Sequence, residues 1–458
     1  MEEKVSRVSR RDIFKAAAAG GVGLIASKVM ADGEEAEANA PVQTGKSMIG
    51  VPFKRHEQVR VGIIGVGARG SGLIGDFAAV PGVKVNAICD IDKSKVLAAQ
   101  KGIMARGQSE PAGYWKGERD FENLCKRDDL DLVIIATPWN WHVPMALSAM
   151  KNGHHAAVEV PVAVTMKECW DIVNVSEETQ KHCIILENCC YGYNEMMVWN
   201  MVKDGLLGDL THAECAYIHD LRSLLCASSS EGLWRRDPHF QRNGNFYPTH
   251  GLGPVCNYFD VNRGDRMEYL VSMSSPEASL TEYVEENFKA DDPKRKEKYI
   301  CGDINTSLIK CASGKSIMLQ HDVVTPRPYS RINMVQGSAG TFCDYPARLA
   351  LDAEESHDWL KPERYNELKS KYEHDIWKRV GEMARANGGH GGMDFIMAYR
   401  LIECMKLGIA PDMDVYDAAD WSAPTPLSQD SVKKGSAPMK FPDFTRGRWK
   451  ERRKIWQS

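Results

Sequence analysis

The sequence predicts an α/β protein: an N-terminal doubly wound parallel sheet, followed by an α+β domain built on a mostly antiparallel sheet. Two observations carry the first half of this. From Val59 onward short apolar runs alternate with helical stretches across short connections, and each run is predominantly apolar, as expected of strands covered on both faces. A third observation divides the chain. After Tyr193 the rhythm changes to runs that alternate or are β-rich and are separated by turn residues. A length of 458 residues also exceeds the usual single domain of about 100 to 200, so two packed domains fit better than one.

Taken in order, the chain begins with Ser9-Arg10-Arg11-Asp12-Ile13-Phe14-Lys15 ahead of a small-residue apolar run from Ala16 to Met30. This resembles a twin-arginine export signal. Gly20, Gly21, Gly23 and Lys28 interrupt the run, leaving it short of the ~20 apolar residues of a stable membrane span. Residues 1–31 are therefore expected to be a signal peptide cut after Ala31, and residues 32–57 a flexible tether. The expected location is outside the cytoplasm, in the periplasm, with the twin-arginine machinery as a partner.

Strands are expected at Val59 to Ile64, Lys84 to Cys89, Leu132 to Ala136, His155 to Val158 and Cys183 to Glu187. Helices fall between them at Ser71 to Ala79, Lys93 to Met104, Val143 to Lys151 and Met166 to Gln180. This gives a nucleotide-binding domain over residues 58–193. The remaining residues, 194–458, read as one α+β domain. Within it lie a helix from Glu195 to Lys203 and a strand from His212 to His219, then a polar loop from Arg222 to Asn245. Further strands are expected at Thr306 to Ala312, Ser316 to Val324, Ile332 to Gln336 and Gly340 to Cys343. Helices at Pro362 to Ala384 and Met393 to Lys406 close the chain, and Glu285 to Lys298 reads as a solvated loop. A net charge of -4 offers no basic field for nucleic acid. The 13 cysteines form no paired CxxC knuckles, so neither a disulfide framework nor a metal site is expected, and Cys189-Cys190 reads as buried apolar strand. Composition leaves a homo-oligomer open.

Gly65-Val66-Gly67-Ala68-Arg69-Gly70 follows the first strand and opens a helix, and Asp90 ends the second strand. Gly65 permits the turn, Gly67 lets the backbone approach a pyrophosphate, Gly70 allows close helix packing, and the helix N-terminus supplies amide donors. Asp90 would accept from both ribose hydroxyls and repel a 2'-phosphate, which points to NAD, although Arg69 could accommodate such a phosphate. Three further strand ends carry polar or aromatic residues where such a sheet binds its ligand: Thr137-Pro138-Trp139-Asn140-Trp141-His142, Glu159-Val160-Pro161 and Glu187-Asn188.

With these segments in view, the mature chain resembles the glucose-fructose oxidoreductase/Idh/MocA group, an NAD-binding Rossmann domain joined to an α+β domain. Two positions depart from that group's pattern. Val160 stands where the group carries a Lys that contacts the nicotinamide ribose and the reacting hydroxyl, and Phe246 stands where an Asp is common. Trp234-Arg235-Arg236, the run from Gly244-Asn245-Phe246-Tyr247-Pro248-Thr249-His250 to Val255, and Asn262-Arg263-Gly264-Asp265 are similar to glycoside hydrolase family 109, the NAD-dependent α-N-acetylgalactosaminidases. The resemblance implies NAD contacts by Ala68, Arg69, Asp90, Trp139, Asn140, Trp141, His142, Glu159, Val160 and Asn188. It also implies glycan contacts by Tyr217, Arg235, Tyr247, Pro248, Thr249, His250 and Tyr329, with no metal. Tyr217, His250 and Tyr247 are the candidate catalytic groups, with Tyr217 as an activated tyrosinate. Tyr217 and His219 share one face of a strand, and Gly251 and Gly253 suit close approach to a ligand. The rival readings are an NAD-dependent sugar or cyclitol dehydrogenase and a non-catalytic nucleotide sensor.

Overall fold

The alternating apolar runs form a six-stranded, wholly parallel sheet in the order β3-β2-β1-β4-β5-β6. The strands are β1 (Val59–Ile64), β2 (Val83–Cys89), β3 (Ala112–Tyr114), β4 (Leu132–Ile135), β5 (His155–Val158) and β6 (Cys183–Ile185). In this computed structural model, residues 41–354, 357–387 and 389–456 are described. The signal peptide expected at 1–31 lies outside them. Helices Ala68–Ala79, Lys93–Ala105, Trp139–Lys151 and Met166–Thr179 provide crossovers, the last opened by a Thr165/Glu168 capping box. Strand order reverses between β1 and β4, which opens a crevice at their carboxyl ends.

The second sheet has eight strands in the order β13-β12-β11-β7-β10-β9-β8-β14. They are β7 (Leu210–Ile218), β8 (Met267–Ser274), β9 (Asn305–Cys311), β10 (Ser316–Asp322), β11 (Met334–Gly337), β12 (Gly340–Cys343), β13 (Arg348–Leu351) and β14 (Met439–Lys440). Only β7 and β10 pair in parallel. Helix Thr249–Phe259 lies on β7 so closely that a Cβ at Gly251 would come 2.5 Å from the Ala216 nitrogen. Gly253 likewise packs against Cys190, Glu187 and Trp421. These glycines bring the helix onto strand and core, and not onto a ligand as their sequence setting suggested.

Several boundaries differ from expectation. The C-terminal residues pack closely on the first domain: helix Met393–Leu407 lies on helix Ala68–Ala79, and helix Val415–Ser422 lies on Met166–Thr179 and β6. The tether ends earlier than residue 57. Met48 and Phe53 are buried, the Met48 amide donates to the Tyr416 hydroxyl at 3.0 Å, and the His56 amide to the Met405 carbonyl at 3.0 Å. Apolar side chains and paired backbone groups bind this segment to the C-terminal helices. The expected helix from Pro362 to Ala384 is two, Pro362–Tyr372 and Asp375–Asn387. Cys189 and Cys190 are buried in a 3-10 turn, Asn188–Tyr191, and not on a strand. Residues 285–298 are partly helical, through Ser279–Asn287 and Pro293–Lys296. No helix among the described residues is long and apolar enough to cross a membrane.

Histidines wholly or largely withdrawn from solvent make the fold acid-sensitive. Burial pushes His182, His239 and His374 down to about 4 and His321 to about 3. An unfolded chain protonates histidine near pH 6.5, so between about 6.5 and 4 protons favour unfolding. Asp76, raised to about 6 by burial, and buried Asp412 and Asp420, also raised, oppose this in part, while His142 and His155, lowered by burial, add to it. The urea-unfolding midpoint is therefore expected to fall steadily from pH 6.5 to 4.5, and a flat profile across that window would contradict the assignment.

Candidate active site

The turn after β1 needs glycine for separate reasons. Gly65 has φ +86°, and a Cβ there would lie 2.5 Å from the Ala136 carbonyl of the neighbouring strand; at Gly70 it would lie 1.9 Å from the Gly65 carbonyl. A Cβ at Gly67 would meet nothing within 4 Å, because Gly67 faces an open cleft. That cleft is a cavity of about 530 Å³ running from Asp90 past Gly65 and Ala68 to Trp139, Glu159 and Tyr247. Asp90 accepts from the Val66 amide at 2.9 Å and the Asp92 amide at 2.9 Å, which fixes its carboxylate at the cavity wall. The shape, the glycine cradle and the acidic end fit a dinucleotide.

Arg69 does not reach toward a 2'-phosphate. Its Nε donates to Glu159 at 2.7 Å and its Nη1 to Asp394 at 2.7 Å, so both faces of the guanidinium are taken by carboxylates. At the far end of the cavity, segment 227–245 folds over as short helical turns, Ser230–Leu233 and Pro238–Gln241. Arg236 anchors it by donating to Glu297 at 3.0 Å and to the Leu225 carbonyl at 2.6 Å. This places Trp234 edge-on to Trp139 at 5.1 Å and the Arg235 guanidinium 4.9 Å from the Tyr247 ring, with Arg235 also salt-bridged to Glu231.

Beyond Tyr247 the cavity meets a cluster of rings. Tyr217 on β7 lies 4.6 Å from Tyr247 and 5.4 Å from His250, and Tyr247 lies 4.9 Å from His250, centroid to centroid. Tyr329 closes the far side, 6.3 Å from Tyr217 and 5.0 Å from His219. The Tyr217 hydroxyl is 3.0 Å from His219 Nδ1. Burial pushes the Tyr217 phenol up and Arg235 pulls it down without overcoming burial, so the residue is not a standing tyrosinate. His219 is held below its ordinary value, by burial first and by Arg235 second, so at neutral pH it can accept the phenol proton. His250 Nδ1 lies 2.7 Å from Glu187 Oε1. Burial pushes Glu187 up, but His250 outweighs it and holds the carboxyl below the usual range. An ionised Glu187 can only accept, so Nδ1 carries the hydrogen and Nε2 is the basic nitrogen.

Residues 191–451 match the family model described as glycosyl hydrolase 109, C-terminal domain, and residues 59–186 match the oxidoreductase family, NAD-binding Rossmann fold. A glycosyl hydrolase family 109 protein of Solibacter usitatus is 54% identical over 453 residues, covering 98% of this chain and 100% of the relative. The chain belongs to glycosyl hydrolase family 109. A second family 109 protein, from Saccharopolyspora erythraea, is 50% identical over 450 residues, covering 98% of this chain and 96% of its own. Among solved structures, an oxidoreductase domain protein from Kribbella flavida superposes with TM-score 0.66 at 16% identity, over 85% of this chain and 100% of that one. A levoglucosan dehydrogenase in complex with NADH gives 0.61 at 15%, over 84% and 99%. These last two show the shared fold. NAD is the cofactor of the cleft, in a family whose members are glycoside hydrolases.

For this family 109 chain the expected site residues fall into three places. Gly65, Gly67, Ala68, Arg69 and Asp90 line the first half of the cavity; Trp139, Trp141, His142, Glu159 and Val160 line the second, with Arg235 and Tyr247 at its end. Tyr217, His250 and Tyr329 gather behind Tyr247. A third group stays off the wall. Asn140 is exposed, Pro248 and Thr249 are buried at the start of their helix, Gly70 lies beneath Gly65, and Asn188 turns to Asp394 at 2.6 Å. Phe246 is buried between His239 and His321, away from the cavity. Sequence reasoning missed the pairing of Glu187 with His250, the His219 acceptor and Asp394. Asp394 carried a readable signal, the glycines of His390-Gly391-Gly392 just before a helix.

Proposed function

We propose that this protein is a redox-neutral, NAD-dependent glycosidase that hydrolyses terminal α-linked N-acetylgalactosamine. The observation that supports this best is the state of the nearby carboxylates. Common glycosidases need a protonated carboxylic acid at the scissile bond. Here Glu187 is held ionised by His250, and Glu159 and Glu231 are each bound to an arginine. The groups left at the sugar end of the cleft are tyrosine and histidine.

When bound, NAD supplies a hydride acceptor and donor for sugar C3. His250 Nε2, beside Tyr247, takes the C3 hydroxyl proton, and the ketone so formed acidifies the C2 hydrogen. Tyr217 passes its phenol proton to His219 and takes the C2 proton. The freed electron pair forms the C1–C2 double bond and expels the C1 aglycone, whose oxygen takes the proton that His219 received. Water adds at C1 and gives its spare proton to His219, Tyr217 returns a proton to C2 and is reprotonated by His219, and His250 returns a proton to the C3 oxygen as the ketone is reduced. Val160 in place of lysine agrees with this division of labour, since proton transfer at C3 then falls to His250.

Each cycle returns the hydride, so the nucleotide need not leave. Incubating the purified protein with an aryl α-N-acetylgalactosaminide and no added NAD is expected to release many equivalents of aryl alcohol. Net NADH accumulation with a free sugar would instead identify a dehydrogenase, and silence in both assays a nucleotide sensor.

A further inference from the structure

The chain from helix Asp375–Asn387 into helix Met393–Leu407 turns through four residues with positive φ: Gly389 (+56°), His390 (+48°), Gly391 (+73°) and Gly392 (+102°). Two of its positions have no room for a side chain. A Cβ at Gly392 would lie 2.9 Å from Ala384 backbone, and one at Gly389 would lie 2.9 Å from the Asp394 side chain. This path carries Asp394, in the first turn of the helix, under the glycine turn of the nucleotide-binding sheet.

Asp394 is buried there and accepts from four donors on three separate pieces of chain. Arg69 Nη1 and Nη2 donate at 2.7 and 3.1 Å, Asn188 Nδ2 at 2.6 Å, and His390 Nδ1 lies at 2.8 Å. Arg69 in turn holds Glu159. One carboxylate thus joins the carboxyl ends of β1, β5 and β6, the edge that forms the cofactor cleft, to the C-terminal helices. Asp394 itself does not line the cavity, whereas Arg69 and Glu159 do. A bidentate Arg–carboxylate pair shielded from water is geometrically demanding, and losing one partner strands the other's charge.

We propose that Asp394 is a positioning residue that, braced by Asn188 behind the wall, holds Arg69 at the wall of the cofactor cleft and thereby retains NAD through repeated turnovers. The proposal rests on the reading above, in which the nucleotide stays bound. Without Asp394, Arg69 loses its bidentate partner and one wall of the cleft is free to move, so NAD should bind more weakly and leave sooner while the fold persists.

The test compares wild type with Asp394→Asn and Asp394→Glu. NAD dissociation constants and release rates are measured by equilibrium dialysis and by trapping released nucleotide, alongside unfolding midpoints of nucleotide-free protein. Asp394→Asn is expected to release NAD at least about tenfold faster than wild type, with nucleotide-free protein that unfolds at a lower midpoint but still cooperatively, and with aryl release restored by excess NAD. Asp394→Glu should recover part of the retention. Equal affinity and release rate in wild type and Asp394→Asn overturn the assignment. The absolute wild-type release rate is a separate readout: rapid loss there sinks the retained-cofactor reading, while the ratio of variant to wild type still decides the role of Asp394.

Discussion

Replacing Tyr217 with phenylalanine is expected to lower aryl release by about 10²- to 10⁴-fold, the usual contribution of a positioned acid–base group. The change removes one oxygen and leaves the ring stack on Tyr247 and His250 in place, so the cavity and bound NAD should be undisturbed. Hydride removal at C3 does not need the phenol, because His250 handles that proton. The variant should therefore still convert enzyme-bound NAD to its reduced form on adding substrate, seen as absorbance near the reduced-nicotinamide band, and then stall. Normal turnover would remove Tyr217 from the mechanism, and loss of the absorbance change together with NAD would show that the residue only shapes the cleft. His219 supplies an internal check. If it is the acceptor of the phenol proton 3.0 Å away, His219→Gln should depress the elimination step in the same direction.

Glu187→Gln should act one step earlier, and about as strongly. Glu187 is fully buried and its Oε1 faces His250 Nδ1 at 2.7 Å. Oε1 also accepts from the Cys189 amide at 3.1 Å, so a glutamine either turns its amide N–H to Nδ1 at the cost of that bond, moving the imidazole hydrogen to Nε2, or keeps its oxygen there without the charge that stabilises the protonated imidazole; both weaken the basic nitrogen on the sugar side. Reversing a histidine tautomer in this way costs about 10⁴-fold in the Ser-His-Asp hydrolases, and a loss of about 10³- to 10⁴-fold is expected here. This variant should fail to reduce bound NAD at all. The contrast with Tyr217→Phe, which reduces and stalls, separates the two proton transfers. A Glu187→Gln protein that reduces its cofactor normally would exclude His250 as the base at C3.

How much of this was legible in sequence follows from where each signal resides. β1, β2, β4, β5 and β6 were readable because burial on both faces demands a largely apolar run, broken only at Arg60, Lys84, Asn86 and His155, whereas the edge strand β3 has three residues of intermediate burial and leaves no such trace. β8 was missed because its sequence, Met-Glu-Tyr-Leu-Val-Ser-Met-Ser, serves one buried face only, with Ser272 inside in a hydroxyl-amide ladder with Asn305 and Ser307. Helices Val415–Ser422 and Pro424–Lys433 hid behind their own polar residues. Asp414 caps the first, and Asp417 inside it pairs with buried Arg263 at 2.5 Å, a partner 154 residues away. The site divides in the same way. The glycine turn and Asp90 are local and were readable; Tyr217, Tyr247 and His250 could be named but not assembled. Glu187 with His250, and Arg69 with Asp394, are tertiary pairs whose partners lie on different elements, and no spacing within one element encodes them.

In the proposed route the glycosidic bond breaks by oxidation at C3 and elimination across C1 and C2, with both changes reversed before release. Hydrolysis in deuterated water, followed by proton NMR of the released sugar, tests it most directly. The route opens C2 to a solvent-derived proton through Tyr217 and His219, and returns to C3 the same hydride that was removed. The N-acetylgalactosamine released is therefore expected to carry deuterium at C2 and its original hydrogen at C3. A product with its original hydrogen at both positions would contradict the elimination, and solvent deuterium at C3 would contradict the returned hydride.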